Sequence, residues 1–288
     1  MYKTLSPGAI GLSPENLDSA LILASVGGFQ GLEVNVGEIA DLLEKEGAIT
    51  VRERFTVAGI HAAAWGLPID WRSSAENWKR GLEQLPRLAS AAAAVGADRT
   101  STYILSWSDT LPYQENLKFH IERFTPIAEI LNHYGISLGL EFLGPKTLYD
   151  GKAYPFIKDM ETMLEMAAEI GPNVGLLLDC FHWYTSHAGV EELLTLTPEQ
   201  VVYVHVNDAP KGVPIDEQLD GVRGLPGETG TIDIAGFLKA LQQIGYDGPV
   251  TPEPFKGELG ELPTDEARVR LVGASMDKIF SLAGLPLR

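Results

Sequence analysis

The sequence predicts an α/β protein built as a closed (β/α)8 barrel, a TIM barrel. Three observations predict it. Eight short apolar or alternating segments read as strands, with helical patterns between them, and such alternation argues for a parallel sheet. The 288 residues show no linker and no shift in composition, so a single barrel over 1–288 is expected. Four of the strands end in an acid or a histidine, and a barrel gathers the C-terminal ends of its strands at one face, where active sites lie. The alternative is a doubly wound open sheet, but no G-x-G-x-x-G follows the first strand.

Taken in order, residues 4–10 form the first strand candidate. Ser13-Pro14-Glu15-Asn16 then reads as an N-cap with proline in the first turn of a helix over 17–26, which Gly27-Gly28 stops. GLEVNV (31–36) is the second strand, with Glu33 near its end, and 39–45 is helical. FTVAGIHA (55–62) is the third strand and carries His61. A long helix with a soft alanine face covers 74–95 and ends at Gly96; RTSTYIL (99–105) is strand four, with Trp107 after it. Helix 113–134 leads to strand five, 137–142, and helix 156–170 leads to strand six. A short helix at 190–194 precedes strand seven, 201–205. A long polar loop, 207–230, is followed by helix 232–244, strand eight at 250–253 and a closing helix over 264–282.

The sixth strand holds the strongest signal. In GLLLDCFHWY (175–184) an apolar run, short enough for a strand buried on both faces, ends in Asp179. A carboxylate buried there without a partner would cost several kcal/mol, on the order expected for an unpaired charge. SLGLE ends in Glu141, VVYVH in His205 and GPVTPE in Glu253. Side chains alternate along a strand, so Glu141 shares a face with Gly139, Asp179 with Leu177, His205 with Tyr203, and Glu253 with Thr251. If those faces all point into one barrel, three carboxylates and an imidazole converge at its mouth. Any one of them is accounted for by a salt bridge or a backbone partner; four together read as a metal site. The oxygen-rich donor set suits Mn²⁺ first, with Mg²⁺, Co²⁺ and Zn²⁺ as alternatives, and leaves coordination positions for water or substrate.

The totals bound the partners. A formal net charge of −17 argues against nucleic acid or an anionic membrane, but not against a small anion held by local cations. No apolar run is long enough to span a bilayer, and the first residues lack the pattern of a signal peptide. The single cysteine, Cys180, rules out an internal disulfide and fits a reducing, cytoplasmic setting. It is expected to be a buried, inert thiol facing away from the barrel interior, because Asp179 faces in.

LGLEFLGP (138–145), GLLLDCFHWY, VYVHVND (202–208), RGLPGETGTIDI (223–234) and TPEPF (251–255) resemble the xylose-isomerase-like sugar isomerase/epimerase superfamily, and within it the inosose isomerases of inositol catabolism. The resemblance implies that Glu141, Asp179, His205 and Glu253 hold one divalent cation, and that His182 and Arg223 contact substrate. It implies isomerisation or epimerisation of a small polyol-derived ketone through a metal-stabilised enediolate, with Glu141 and Glu253 each serving as ligand and acid/base. Members are often dimers or tetramers. Ketohexose 3-epimerases carry a glutamate where this chain has Thr147, and their substrate arginine follows the metal histidine closely, whereas Arg223 lies on a long loop. A 3-dehydroshikimate dehydratase is a further alternative on the same barrel. A DNA-repair endonuclease needs extra metal-binding histidines that this chain lacks, and its charge opposes DNA. A non-catalytic sugar-binding barrel would have no need of the acid/base pair.

Other candidates carry two readings each. Glu33 and His61 line the pocket or are satisfied rim residues. Trp107 forms a pocket wall or part of the core. Lys146 holds a substrate oxygen or caps a helix, and Asn207 and Asp208 shape the turn after strand seven.

Overall fold

The computed structural model describes residues 1–287. Eight parallel strands close a barrel, and the core lies inside it and between it and the surrounding helices. The elements run β1 (Tyr2–Leu5), α1 (Leu17–Val26), β2 (Gly31–Glu33), α2 (Val36–Glu46), α3 (Ala48–Ala58), β3 (His61–Gly66), α4 (Ala75–Val95) and β4 (Arg99–Ile104). After β5 (Trp107–Ser108) come α5 (Tyr113–His133), β6 (Ser137–Phe142), α6 (Lys146–Tyr149), β7 (Tyr154–Pro155), α7 (Met160–Ile170) and β8 (Val174–Asp179). The chain ends with α8 (Cys180–Thr185), α9 (Val190–Leu193), β9 (Val201–Val206), α10 (Ile234–Gln243), β10 (Pro249–Pro252) and α11 (Asp265–Ala283). Around the barrel the order is β1-β10-β9-β8-β6-β4-β3-β2, while β5 and β7 pair as a small antiparallel ribbon. Among the described residues no helix is long and apolar enough to cross a membrane.

The helices begin where side chains satisfy their free backbone N–H groups. Asn16, Asn35, Ser74, Asp159 and Thr264 each accept a bond from the residue three further on. Inside the barrel, Ala64, Leu177 and Tyr203 form an apolar layer below the mouth. Gly139 belongs to the same tier: a Cβ there would stand 3.0 Å from the Leu177 backbone nitrogen. The interior is therefore filled by side chains and has no channel.

Three of the strands expected in the first half have other bounds; the second ends at Glu33, and Asn35 already caps α2, which Val36 opens. The first strand ends at Leu5, because Pro7 supplies no N–H and the chain turns into a 3-10 segment over Gly8–Ile10. The segment expected as strand three is largely α3, followed by a later strand. Val51 and Phe55, four apart, are its buried face, and Gly59 in the left-handed region (φ 66°) ends the helix. β3 is instead the alanine run that begins at His61. The β-branched Thr56 and Val57 suggested extended chain, but they lie in the last turns of the helix, where Val57 is exposed to solvent.

Candidate metal centre

Four neighbouring strands, β10-β9-β8-β6, carry the four expected ligands at their C-terminal ends. Glu253 directly follows β10, held by its backbone N–H to the Val206 carbonyl at 2.9 Å. His205 is the penultimate residue of β9 and pairs in register with Asp179, the last residue of β8. Glu141 stands one residue before the end of β6. One donor atom from each residue lies within 4.8 Å of all the others. The His205 Nδ1 is 3.5 Å from the Glu253 Oε2 and 3.8 Å from the Glu141 Oε1.

This cluster could hold a cation. The Glu141 Oε1 and both ring nitrogens of His205 are buried without a hydrogen-bond partner, each orphan costing about 1–3 kcal/mol. A bound cation would satisfy the carboxylate oxygen and one nitrogen. Burial, then the nearby charge of Glu253, holds the Glu141 carboxyl well above the usual carboxylate range. Burial disfavours a charged His205, but Glu253, Glu141 and Asp179 outweigh it and push the imidazole up to about 9. A cation that displaced the protons of Glu141 and His205 would face three carboxylates and one guanidinium, an excess of negative charge suited to a dication, and three oxygens with one nitrogen suit Mn²⁺, Zn²⁺ and their neighbours.

Arg223 reaches the centre from the long loop after β9. Its Nη1 donates to the Asp179 Oδ2 at 2.7 Å and the Glu253 Oε2 at 2.9 Å, and its Nη2 to the Asp220 Oδ1 at 2.7 Å. Phe181 and Phe255 lie against the guanidinium, 4.8 and 4.5 Å from ring centroid to Cζ. Burial opposes its charge, but Asp179 and Glu253 overcome this and raise its pKa. Asp179 is fully buried. Desolvation would raise its pKa, but Arg223, His182 and His205 bring it down to about 2. Its Oδ1 also caps α8 by accepting the Phe181 N–H, and the Asn207 amide donates to both oxygens at 3.0 and 3.2 Å.

His182 is buried beside this centre. A neutral ring can accept from only one of its two neighbouring donors, the Gly144 N–H at Nδ1 or the Arg223 Nη2 at Nε2, each at 3.3 Å. The Nε2 faces the Glu141 Oε1 at 3.8 Å and the Asp220 Oδ1 at 3.6 Å. Burial, then the charge of Arg223, lowers its pKa and favours the neutral ring. Glu33 also lies at the barrel mouth, where its Oε2 accepts from the Tyr203 hydroxyl at 3.1 Å and burial raises its pKa. It borders a cavity of about 400 Å³ formed with the loops after β1 and β2.

Three expected site residues are placed elsewhere. His61 opens β3 and pairs with Gly31 at the N-terminal rim, with its ring against Tyr2, so it does not line the mouth. The misplaced third strand had put it at a strand end. Lys146 is a surface residue bonded to Asp216 at 3.3 Å, not to the carboxylate cluster. Trp107 sits in the outer β5-β7 ribbon with the Lys152 ammonium 4.8 Å from its ring centroid. Asn207 and Asp220, which the sequence did not point to as site residues, bond to Asp179 and Arg223 respectively. Asn207 lies two residues after His205 and so shares its face, a signal available in the sequence. Asp208 does shape the loop, accepting from the backbone of Thr229, Gly230 and Ile232. Cys180 is buried with its Sγ against Asn207, and burial raises its thiol pKa well above normal.

A closed parallel barrel with three acids and a histidine gathered at its C-terminal mouth defines a class of barrel proteins with a possible metal site. The chain belongs to the Xylose isomerase-like TIM barrel family, whose model matches residues 22–277. It is 29% identical to an inosose isomerase of Bacillus subtilis (strain 168) over 155 residues, 54% of this chain and 52% of the relative. That match therefore spans about half the relative's length. Among solved structures it is similar to a xylose isomerase domain protein from Alicyclobacillus acidocaldarius, with TM-score 0.86, 31% identity and 99% of each chain covered. A structure described as IOLI protein with a binding zinc atom shares the fold, with TM-score 0.77 and 22% identity over 97% of this chain and 98% of that one.

Proposed function

We propose that this chain is a divalent-metal-dependent isomerase or epimerase of a small polyol-derived ketone, with inosose the leading candidate substrate. One observation carries this reading. The two glutamates stand at opposite ends of the four-strand arc, Glu141 on β6 and Glu253 after β10, with Asp179 and His205 between them. A substrate held at the centre would be flanked by a carboxylate on either side. The inosose isomerase relative and the zinc named for the IOLI structure agree with it.

Glu141, Asp179, His205 and Glu253 would hold the cation; Mn²⁺ is the first candidate and Zn²⁺ the second. When bound, it would polarise the substrate carbonyl as a Lewis acid and offset the negative charge that develops on oxygen. One glutamate removes the proton from the carbon beside the carbonyl, so the C–H pair becomes the new C=C bond and an enediolate forms. A proton returned to the former carbonyl carbon, with the hydroxyl proton passing from the second oxygen to the first, gives isomerisation, and one returned to the original carbon from the other face gives epimerisation. His182 would contact a substrate oxygen through Nε2, the nitrogen that faces Glu141. Arg223 positions Glu253 and Asp179, while Asn207 fixes the rotamer of Asp179.

The test is exchange of the α-proton of inosose with deuterated water by the metal-loaded protein. Glu253→Gln should abolish exchange and retain part of the bound metal. Full activity in that variant would sink the acid/base assignment. Loss of water from the substrate would indicate a dehydratase.

A further inference from the structure

The cavity that Glu33 borders holds about 400 Å³ between the loops after β1 and β2. Leu17, Leu32 and Ile39 share its lining with Ser6, Glu33 and Asn35. The volume lies at the small end of ligand pockets and suits one six-membered ring.

The polar groups of this cavity have bonding capacity to spare. Asn35 turns its Oδ1 to the Glu38 N–H, 3.3 Å away, to cap α2. Its side chain is exposed, so the two N–H donors of the carboxamide are accessible to a ligand. Glu33 is half-buried, and its Oε2 accepts one bond, from the Tyr203 hydroxyl at 3.1 Å. The Ser6 hydroxyl supports the same group. A carboxylate has about four acceptor sites, so Glu33 can take a further donor. Donors and acceptors set beside aliphatic side chains match a polyhydroxylated ring, which offers C–H faces to the one and hydroxyls to the other.

Tyr203 joins this cavity to the carboxylate cluster. It stands two residues before His205 on β9, and the two rings meet edge-on at 5.0 Å between centroids. Its hydroxyl spans the barrel interior to Glu33 at the end of β2 and bonds to the Thr251 hydroxyl of β10 at 2.6 Å. Tyr203 is fully buried, so its hydroxyl has no water to turn to and holds the Glu33 carboxyl in place. The charges of His205 and Glu253 both act on that carboxyl. Glu33 therefore belongs to the cavity and to the barrel mouth at once.

We infer that this cavity receives the side of the ketone that lies away from the reacting carbons, with Glu33 accepting from and Asn35 donating to the hydroxyls there. Glu33 is then a specificity-determining residue, and Tyr203 a positioning residue that acts through it. The inference rests on the reaction site proposed above and adds a requirement to it: the preferred ketone is hydroxylated beyond the carbonyl and its neighbour, as a ketone derived from a cyclitol is. A simple α-hydroxyketone would meet the cation and leave Glu33 unused.

The experiment is calorimetric titration of the metal-loaded chain with two unreactive probes, myo-inositol and cis-1,2-cyclohexanediol. Both offer a pair of adjacent hydroxyls to the cation, and only the first carries hydroxyls beyond them. The wild type should bind myo-inositol about tenfold more tightly, as expected for hydrogen bonds to a charged group. Glu33→Ala should remove most of that preference, and Tyr203→Phe, which keeps the ring, should reduce it. Asn35→Asp keeps the helix cap, removes the two donors and should also reduce it. A purely structural role would weaken both probes alike and leave their ratio unchanged. Equal affinity of the wild type for both probes overturns the inference, as does a preference that survives both Glu33→Ala and Asn35→Asp. If only the reaction assignment is wrong, inosose shows no α-proton exchange, while the preference for myo-inositol and its loss in Glu33→Ala remain.

Discussion

His120 should make the fold acid-sensitive by a calculable amount. Its ring is packed among Trp71, Phe119, Phe124 and Phe156, and burial lowers its pKa from 6.5 to about 4. The unfolded chain therefore binds a proton more readily than the folded one between these values. The resulting stability is fully present above about pH 6.5 and is lost as pH falls through the window toward 4. A shift of this size corresponds to roughly 3 kcal/mol when the loss is complete, and to about 2 kcal/mol at pH 5. The assay is urea unfolding of the wild type and His120→Phe at pH 7 and pH 5. The substitution removes the bond to the Asn116 carbonyl at both pH values, so its cost of about 1 kcal/mol cancels in the comparison. The many surface carboxylates titrate alike in both proteins and cancel too. The wild type should lose about 2 kcal/mol more than the variant between pH 7 and 5. Equal losses would refute the account of a desolvated neutral ring.

Other consequences follow from the same geometry. Asn207→Ala removes both amide contacts to Asp179 and should weaken metal affinity by about 10–100-fold, measured by competition with a chelator; unchanged affinity would remove Asn207 from the site. Arg223→Met leaves Asp179 and Glu253 without their shared cation. The metal-free protein should lose about 3–5 kcal/mol, and the loaded protein much less; equal losses in chemical denaturation would contradict the charge argument. Gly139→Ala drives a methyl group against the Leu177 backbone and should cost about 1–3 kcal/mol in the same assay, whereas a neutral result would mean the inner layer can shift.

The second half of the barrel was more legible in the sequence than the first. Strands β6, β8, β9 and β10 each carry an acid or a histidine at, or within one residue of, their ends, so the strand and its polar end can be read from one short segment. The alanine run of β3 carries no such mark, and the real strand was hidden behind a helix whose β-branched residues imitate extended chain. That error moved His61 from the bottom of the barrel to the top. The tie from Arg223 to Asp220, Asp179 and Glu253 depends on how a loop folds back, which residue spacing does not encode. Asn207 was within reach of strand alternation, but a residue just past a strand invites a reading as turn chemistry.

The grouping of all four ligands on one contiguous half of the rim divides the mouth into two territories. Strands β10 through β6 carry the four residues that could hold a cation, so under the proposed function a substitution at any of their ends should disturb the chemistry. The ends of β1, β2, β3 and β4 contribute no ligand, and their loops border two cavities containing Glu33 and Trp107. A descendant lineage could therefore exchange one substrate for another by rewriting that half alone while inheriting its reactive centre intact.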